Sequence, residues 1–129
     1  GFPGLVIAII KPNNKVYLLE SNQKKAYFLR KTIDELNIKN GIVINENITK
    51  TNSLGTYDII TARAFAKIGK IIELTRNNLK KETEYLLLKG TLQKIKEELK
   101  VLDTNQLTYE IIKQENKKQE RHIIKIKNK

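Results

Sequence analysis

Cysteine, methionine and tryptophan are all missing from the 129 residues, and histidine occurs once. Without cysteine there are no disulfides, thiolate metal sites or cysteine nucleophiles, and a single histidine excludes a His-rich metal cluster. A chain without any Met is expected to be a processed form or a fragment. Long apolar runs are also lacking. The longest, Leu5 to Ile10, falls far short of the ~20 residues that span a bilayer, and no signal-like leader precedes it. No membrane role is expected, and the reading is a cytoplasmic monomer. Acidic residues are few, 14 against 25 basic, for a net charge of +11. Such an excess favours a polyanionic partner. A Lys-, Asn- and Ile-rich composition from AT-rich coding would produce the same balance. This length suits one domain with a real core, below the usual size of a complete doubly wound fold.

Helix-like and strand-like segments alternate along the chain. Gly1-Phe2-Pro3-Gly4 reads as part of a glycine loop leading into a short helix over Leu5 to Ile10. Such loops bring backbone amides close to a nucleotide-like ligand. Val16 to Leu19 is an apolar run without polar alternation, as in a strand covered on both faces, and Glu20 closes it. Ser21 is placed to cap a helix in which Ala26, Leu29, Ile33 and Leu36 recur at helical spacing. Strands are predicted at Ile42 to Ile44, Tyr57 to Thr61 and Tyr85 to Leu88. Between the last two, Ile68, Ile71, Ile72, Thr75 and Leu79 mark one helical face. Leu92, Ile95, Leu99 and Leu102 mark the next. Leu107 to Ile112 and His122 to Lys127 alternate apolar and polar, the pattern of an antiparallel hairpin at a sheet edge. The order (α)-β-α-β-β-α-β-α-β-β predicts an α/β fold with a mostly parallel sheet, right-handed crossovers and a C-terminal antiparallel hairpin. No repeat, linker or second domain is expected.

Several strings bear on identity together: Gly1-Phe2-Pro3-Gly4-Leu5, Leu18-Leu19-Glu20-Ser21, and Lys24-Lys25-Ala26-Tyr27-Phe28-Leu29-Arg30. Thr61-Ala62-Arg63-Ala64-Phe65-Ala66, Leu88-Lys89-Gly90 and Glu120-Arg121-His122-Ile123-Ile124 complete the set. In this order and spacing they resemble the ribosomal RNA small subunit methyltransferase G family, also called glucose-inhibited division protein B. The resemblance covers essentially the whole chain, and the Arg-Ala-Phe-Ala and Glu-Arg-His strings are its most specific parts.

The resemblance implies a Rossmann-like methyltransferase that uses S-adenosylmethionine to methylate N7 of a guanine in the 530 loop of 16S ribosomal RNA. The implied partner is 16S ribosomal RNA or the small ribosomal subunit. Phe2 corresponds to the loop residue against the cofactor. Glu20, Ser21 and Asn22 correspond to the segment around the ribose, Ile48 and Thr49 to the pair beside the adenine, and Arg63 to the cofactor-site arginine. Lys89 corresponds to a family lysine near the active site, which suggests a role with the RNA. Two departures stand out. The Asp-x-Gly-x-Gly part of the loop and an N-terminal helical region do not occur in the 129 residues. Residues 1–129 therefore read as a partial domain with its first strand missing, and weak cofactor binding is expected. Asn47 and Thr49 also replace the usual Arg and acid around Ile48, leaving the backbone and the Thr49 hydroxyl to meet adenine.

The residue chemistry alone leaves alternatives open. Glu20, at a strand end, suits either the hydroxyls of a ribose or the positive end of the next helix. Arg63 suits a cofactor carboxylate or an RNA phosphate, or else a salt bridge with Asp58 or Glu20. Lys89 reads as a phosphate contact or a solvated cap, and Phe2 as a cofactor contact or a hydrophobic plug. His122 reads as a structural hydrogen-bonding residue. Of the neighbours Tyr27 and Phe28, one is expected in the core and neither as a base-stacking platform. Lys24 and Lys25, with Arg30-Lys31 and Lys80-Lys81, are candidate phosphate contacts. No catalytic acid or base is identified, and transfer of a methyl group to guanine N7 requires none. The competing readings are an inactive basic module that binds RNA or ribosomal surfaces and, more remotely, a nicotinamide-dependent oxidoreductase. The methyltransferase reading requires Phe2, Glu20, Thr49 and Arg63 to share one rim of the sheet.

Overall fold

A helix over Phe2–Ile10 (α1) is the first element of the computed structural model, which describes residues 2–63, 66–115 and 118–129, the side chain of Phe2 excepted. Gly1, Ala64 and Phe65 of the sequence motifs lie outside the described residues. Phe2, Pro3 and Gly4 are thus helical where the sequence suggested a loop. Pro3 suits a first helical turn, where its missing N–H leaves no bond unmade. The chain divides into two compact units, residues 1–48 and 49–129.

In the first unit, β1 (Val16–Leu19) pairs in parallel with β2 (Gly41–Ile44), and α2 (Gln23–Glu35) connects them. Gly4 allows α1 to approach β1 closely: a Cβ there would lie 2.2 Å from Leu18 Cδ2. Asn22, not Ser21, caps α2, its Oδ1 accepting from Lys25 N at 2.9 Å. The helix ends at Leu36. Asn37 follows with φ 54°, and Asn37 N and Ile38 N donate to Asp34 O and Ile33 O. That pattern satisfies the last carbonyls of a helix and turns the chain. Ala26 and Leu29 are buried as expected, whereas Leu36 is exposed. β1 is not covered on both faces. Leu18 is buried but Tyr17 and Leu19 are exposed, and among the described residues β1 has β2 as its one paired neighbour.

In the second unit, β3 (Tyr57–Arg63), β4 (Leu79–Lys89), β5 (Leu107–Lys113) and β6 (His122–Asn128) form a sheet of order β3-β4-β6-β5. β3 and β4 are parallel, while β4–β6 and β5–β6 are antiparallel. The C-terminal hairpin is as predicted, with β6 inserted beside β4. Helices α3 (Ile68–Leu74) and α4 (Leu92–Leu99) contribute Ile68, Ile71, Ile95 and Leu99 to a core with Tyr85 and Leu87 of β4 and Ile124 and Ile126 of β6. Burial alternates along β4 even where its sequence does not, so Leu86 and Leu88 are half-buried.

The third helix is shorter than predicted. Thr75 is its C-terminal cap, donating both its backbone N at 3.1 Å and its hydroxyl at 2.7 Å to Ile71 O. Arg76–Asn78 form a 3₁₀ turn, and Leu79 already belongs to β4. Asn78 is held by Asn52 and by Gly55 O at 2.7 Å.

Candidate functional site

Glu20 follows the last residue of β1, at the carboxyl end where open α/β sheets bind ligands. Its backbone N donates to Ile44 O at 3.0 Å, extending the ladder one step beyond the strand. Asn45, just past β2, clamps the same segment from the other side: its Nδ2 donates to Glu20 O at 2.8 Å and Ser21 O at 3.2 Å. The Glu20 carboxylate is thereby held at the start of α2, where Oε2 accepts from Asn22 N at 3.1 Å. Among the described residues Oε1 receives no hydrogen bond, so it is available to a hydroxyl donor. This half-buried, backbone-anchored acid has the acceptor set that a ribose hydroxyl requires.

Sequence reasoning missed Asn45. Its signal was an amide residue directly after an apolar strand that pairs with the strand carrying the acid. Asn22 spends its Oδ1 on the cap of α2, and Ser21 is exposed. Lys24 and Lys25 are exposed in the first turn of α2, a turn without any acid. Half-buried Ile48 ends the first unit and exposed Thr49 begins the second. Thr49 O accepts from Asn52 N at 3.2 Å and Asn52 Nδ2 at 2.7 Å.

In the second unit, Arg63 and Lys89 close the parallel strands β3 and β4 at the same end of the sheet. Arg63 is in register with Leu88, and Lys89 with His122. Arg63 is exposed, but Lys89 is not. With 8% of its side chain accessible, Lys89 pairs with Glu98 at 3.0 Å and donates to Ala66 O at 2.6 Å. Glu98 also accepts from Ile68 N at 2.8 Å. The ammonium therefore ties the segment after Arg63 and the start of α3 to α4, a partner in the next helix that the sequence reading did not see. A solvated cap does not describe it.

His122 is buried and its Nδ1 donates to Gly90 O at 2.7 Å, the structural role expected. Glu120 accepts from Leu92 N at the start of α4. Lys80 is paired with Asp58 at 3.1 Å. Phe2 opens α1, and its side chain lies outside the described residues. Of the four residues required on one rim, Phe2 and Glu20 lie in the first unit, and Thr49 and Arg63 in the second. A hollow of about 260 Å³ lies on the β5–β6 hairpin, lined by Thr108, Tyr109, Glu110, Lys125 and Lys127. Among the described residues no helix is long and apolar enough to cross a membrane.

Comparison with known proteins adds to this geometry. Residues 1–124 match the family model for rRNA small subunit methyltransferase G. A ribosomal RNA small subunit methyltransferase G from Brachyspira hyodysenteriae is 38% identical over 126 residues, covering 96% of this chain and 61% of that protein. Its counterpart from Acinetobacter baumannii is 38% identical over 95 residues, covering 71% of this chain and 45% of that protein. The chain thus spans about half of the curated relatives it matches. Among solved structures, the precorrin-6Y C5,15-methyltransferase of Geobacter metallireducens superposes with a TM-score of 0.69 at 17% identity. The match covers 92% of this chain and 71% of that one. The fold is accordingly the α/β, Rossmann-like methyltransferase architecture, with its C-terminal antiparallel hairpin.

Proposed function

The chain belongs to the rRNA small subunit methyltransferase G family, and on that premise we propose that it is part of an S-adenosylmethionine-dependent methyltransferase of 16S ribosomal RNA. The modified atom in this reading is N7 of a guanine in the 530 loop. The observation that carries the proposal is Glu20: a half-buried acid at the end of a parallel strand, anchored on both sides, with Oε1 open to a hydroxyl.

S-adenosylmethionine held there by Glu20 would supply an electrophilic methyl group, and positioning and electrostatics are what the protein contributes. Glu20 accepts the ribose hydroxyls, and Ser21 and Asn22 shape the turn around them. Ile48 and the Thr49 hydroxyl meet the adenine. Arg63 holds a carboxylate or phosphate through its planar fork, and Phe2 lies at the loop. Lys89 acts through the Ala66–Ile68 segment, which its ion pair with Glu98 holds. Lys24 and Lys25 are assigned to the RNA.

Residues 1–129 are a partial domain in this reading, completed by a further strand. Support comes from the exposed apolar residues Leu19, Ile42 and Ile59 on β1, β2 and β3. The intact protein acts as a cytoplasmic monomer on ribosomal RNA or the small ribosomal subunit.

Titration calorimetry with S-adenosylhomocysteine, on the protein expressed from its complete reading frame, tests the reading. Saturable binding that disappears in Glu20→Ala, with the circular dichroism unchanged, supports it. Absence of binding in the parent protein rejects it in favour of a basic module that binds RNA without a cofactor.

A further inference from the structure

The outer surface of α2 has no counterpart in the cofactor site. Tyr27 and Phe28, one of which the sequence assigned to the core and neither to base stacking, are both out in solvent at 68% and 66% exposure. The core side of this helix is taken by Ala26 and Leu29, leaving both rings on the far side. At helical spacing the exposed surface reads Lys24, Tyr27, Phe28, Lys31, the i, i+3, i+4, i+7 stripe that forms one continuous face. Lys25 and Arg30 flank it, also exposed.

The pattern does not suit a partner helix or an apolar groove. Such partners take apolar anchors at all four stripe positions, whereas here both ends of the stripe are cations. Helix stability does not account for it either. Two lysines occupy the first turn, where the macrodipole favours acids, and no acid is present there. Phosphate is the counter-charge that four exposed cations recruit, and two solvent-facing rings between them offer π-faces to bases. Adjacent residues diverge by about 100° around a helix, so the rings address two successive bases rather than sandwiching one. Lys24 and Lys31 lie about 10 Å apart along the axis, roughly the rise of three stacked nucleotides. Base faces are open in single strands and closed in duplexes.

We propose that the Lys24–Tyr27–Phe28–Lys31 face of α2 is a docking surface for an unpaired RNA segment, with the rings stacking on two bases and the lysines on the flanking phosphates. The proposal deepens the functional reading above, resting on its RNA partner and not on its cofactor.

Fluorescence anisotropy on the full chain tests it, with a labelled single-stranded RNA of mixed sequence and a hairpin-closed duplex of the same composition as probes. The parent protein is expected to favour the single strand. Tyr27→Ala/Phe28→Ala should weaken single-strand binding by about thirtyfold or more while leaving duplex affinity and the salt slope unchanged. Tyr27→Phe should bind as the parent does. Lys24→Gln/Lys31→Gln should reduce the single-strand salt slope by about 1.4, at about 0.7 per cation. Circular dichroism on each variant guards against misfolding, which is not anticipated for surface side chains. Parent-like affinity in the aromatic double variant overturns the proposal, and so does an equal loss on duplex. Anisotropy needs no methyl donor, so a chain that binds S-adenosylhomocysteine without aromatic dependence refutes this surface alone. One that shows the dependence but binds no donor refutes the enzyme reading alone.

Discussion

Lys89 and Glu98 meet at 3.0 Å with 8% and 14% of their side chains accessible, and both also bond to the backbone that follows β3. A buried pair is costly to assemble, and removing one partner strands the other charge in a poorly solvating place. Lys89→Met should therefore destabilise the chain by about 3 kcal/mol in urea unfolding. Lys89→Met/Glu98→Leu should recover much of that loss, since neither charge is then left unpaired. A single-variant cost below about 1 kcal/mol would mean that water reaches the pair and that the Ala66–Ile68 segment is held by other contacts.

Gly4 makes a second prediction local to the first unit. Its absent Cβ would lie 2.2 Å from Leu18 Cδ2, and Leu18 is 3% exposed, so its methyl has little room to retreat. Gly4→Ala should cost about 1–3 kcal/mol through overpacking. Leu18→Ala alone should cost about 2–5 kcal/mol. The double variant should cost less than the two together by more than about 0.5 kcal/mol, because the new methyl fills vacated space. Strict additivity in urea midpoints would refute the close approach of α1 to β1.

These two sites mark the limit of what was legible in the chain. Runs of one kind, such as Val16 to Leu19 and the alternation from His122 to Lys127, place an element wherever they occur, and the order of helices and strands follows from them. Ends and caps depend on single side-chain bonds. The apolar spacing through Thr75 and Leu79 continues past the point where the Thr75 hydroxyl takes Ile71 O. Asn22 outcompetes Ser21 because its amide reaches Lys25 N. Partners distant in the chain left no local trace: the burial of Lys89 depends on Glu98 in the next helix, and the role of Asn45 on its neighbour strand. The place of Glu20 at a strand end was legible from the apolar run before it, whereas the exposure of both Tyr27 and Phe28 was hidden by their hydrophobicity.

Tyr85 supplies a pH prediction. Burial pushes its phenol above the ordinary 10.0, opposed by the hydrogen bond with Thr75, whose Oγ1 lies 2.5 Å from the phenol oxygen. Below pH 10.0 the phenol is neutral in both folded and unfolded chains and adds no slope. Above it the unfolded chain releases the proton first, so stability falls as pH rises through the folded value. Tyr85→Phe should remove that part of the alkaline decline while costing about 1 kcal/mol at neutral pH. Urea midpoints compared on either side of 10.0 check this, and parallel curves for parent and variant would contradict it.

The clamp between Asn45 and Glu20 links the fold to the proposed chemistry. Asn45 Nδ2 donates to the carbonyls of Glu20 and Ser21, so the carboxylate proposed to meet the ribose is aimed from the neighbouring strand. Asn45→Asp keeps the shape and removes the donor, setting a carboxylate against two carbonyls. It should lower stability by about 1–2 kcal/mol, because the part-buried Glu20 carbonyl loses its donor. It should also weaken S-adenosylhomocysteine binding about tenfold, since a tilt at the strand end misplaces Oε1. The ratio between the two effects carries the argument. A purely structural Asn45 would lower the melting temperature and leave the affinity of the folded fraction unchanged, as calorimetry well below the melting point would reveal. An affinity loss that persists there ties the clamp to the site. Glu20→Gln provides the control: it retains one acceptor without the charge and should lose affinity without the accompanying fall in stability.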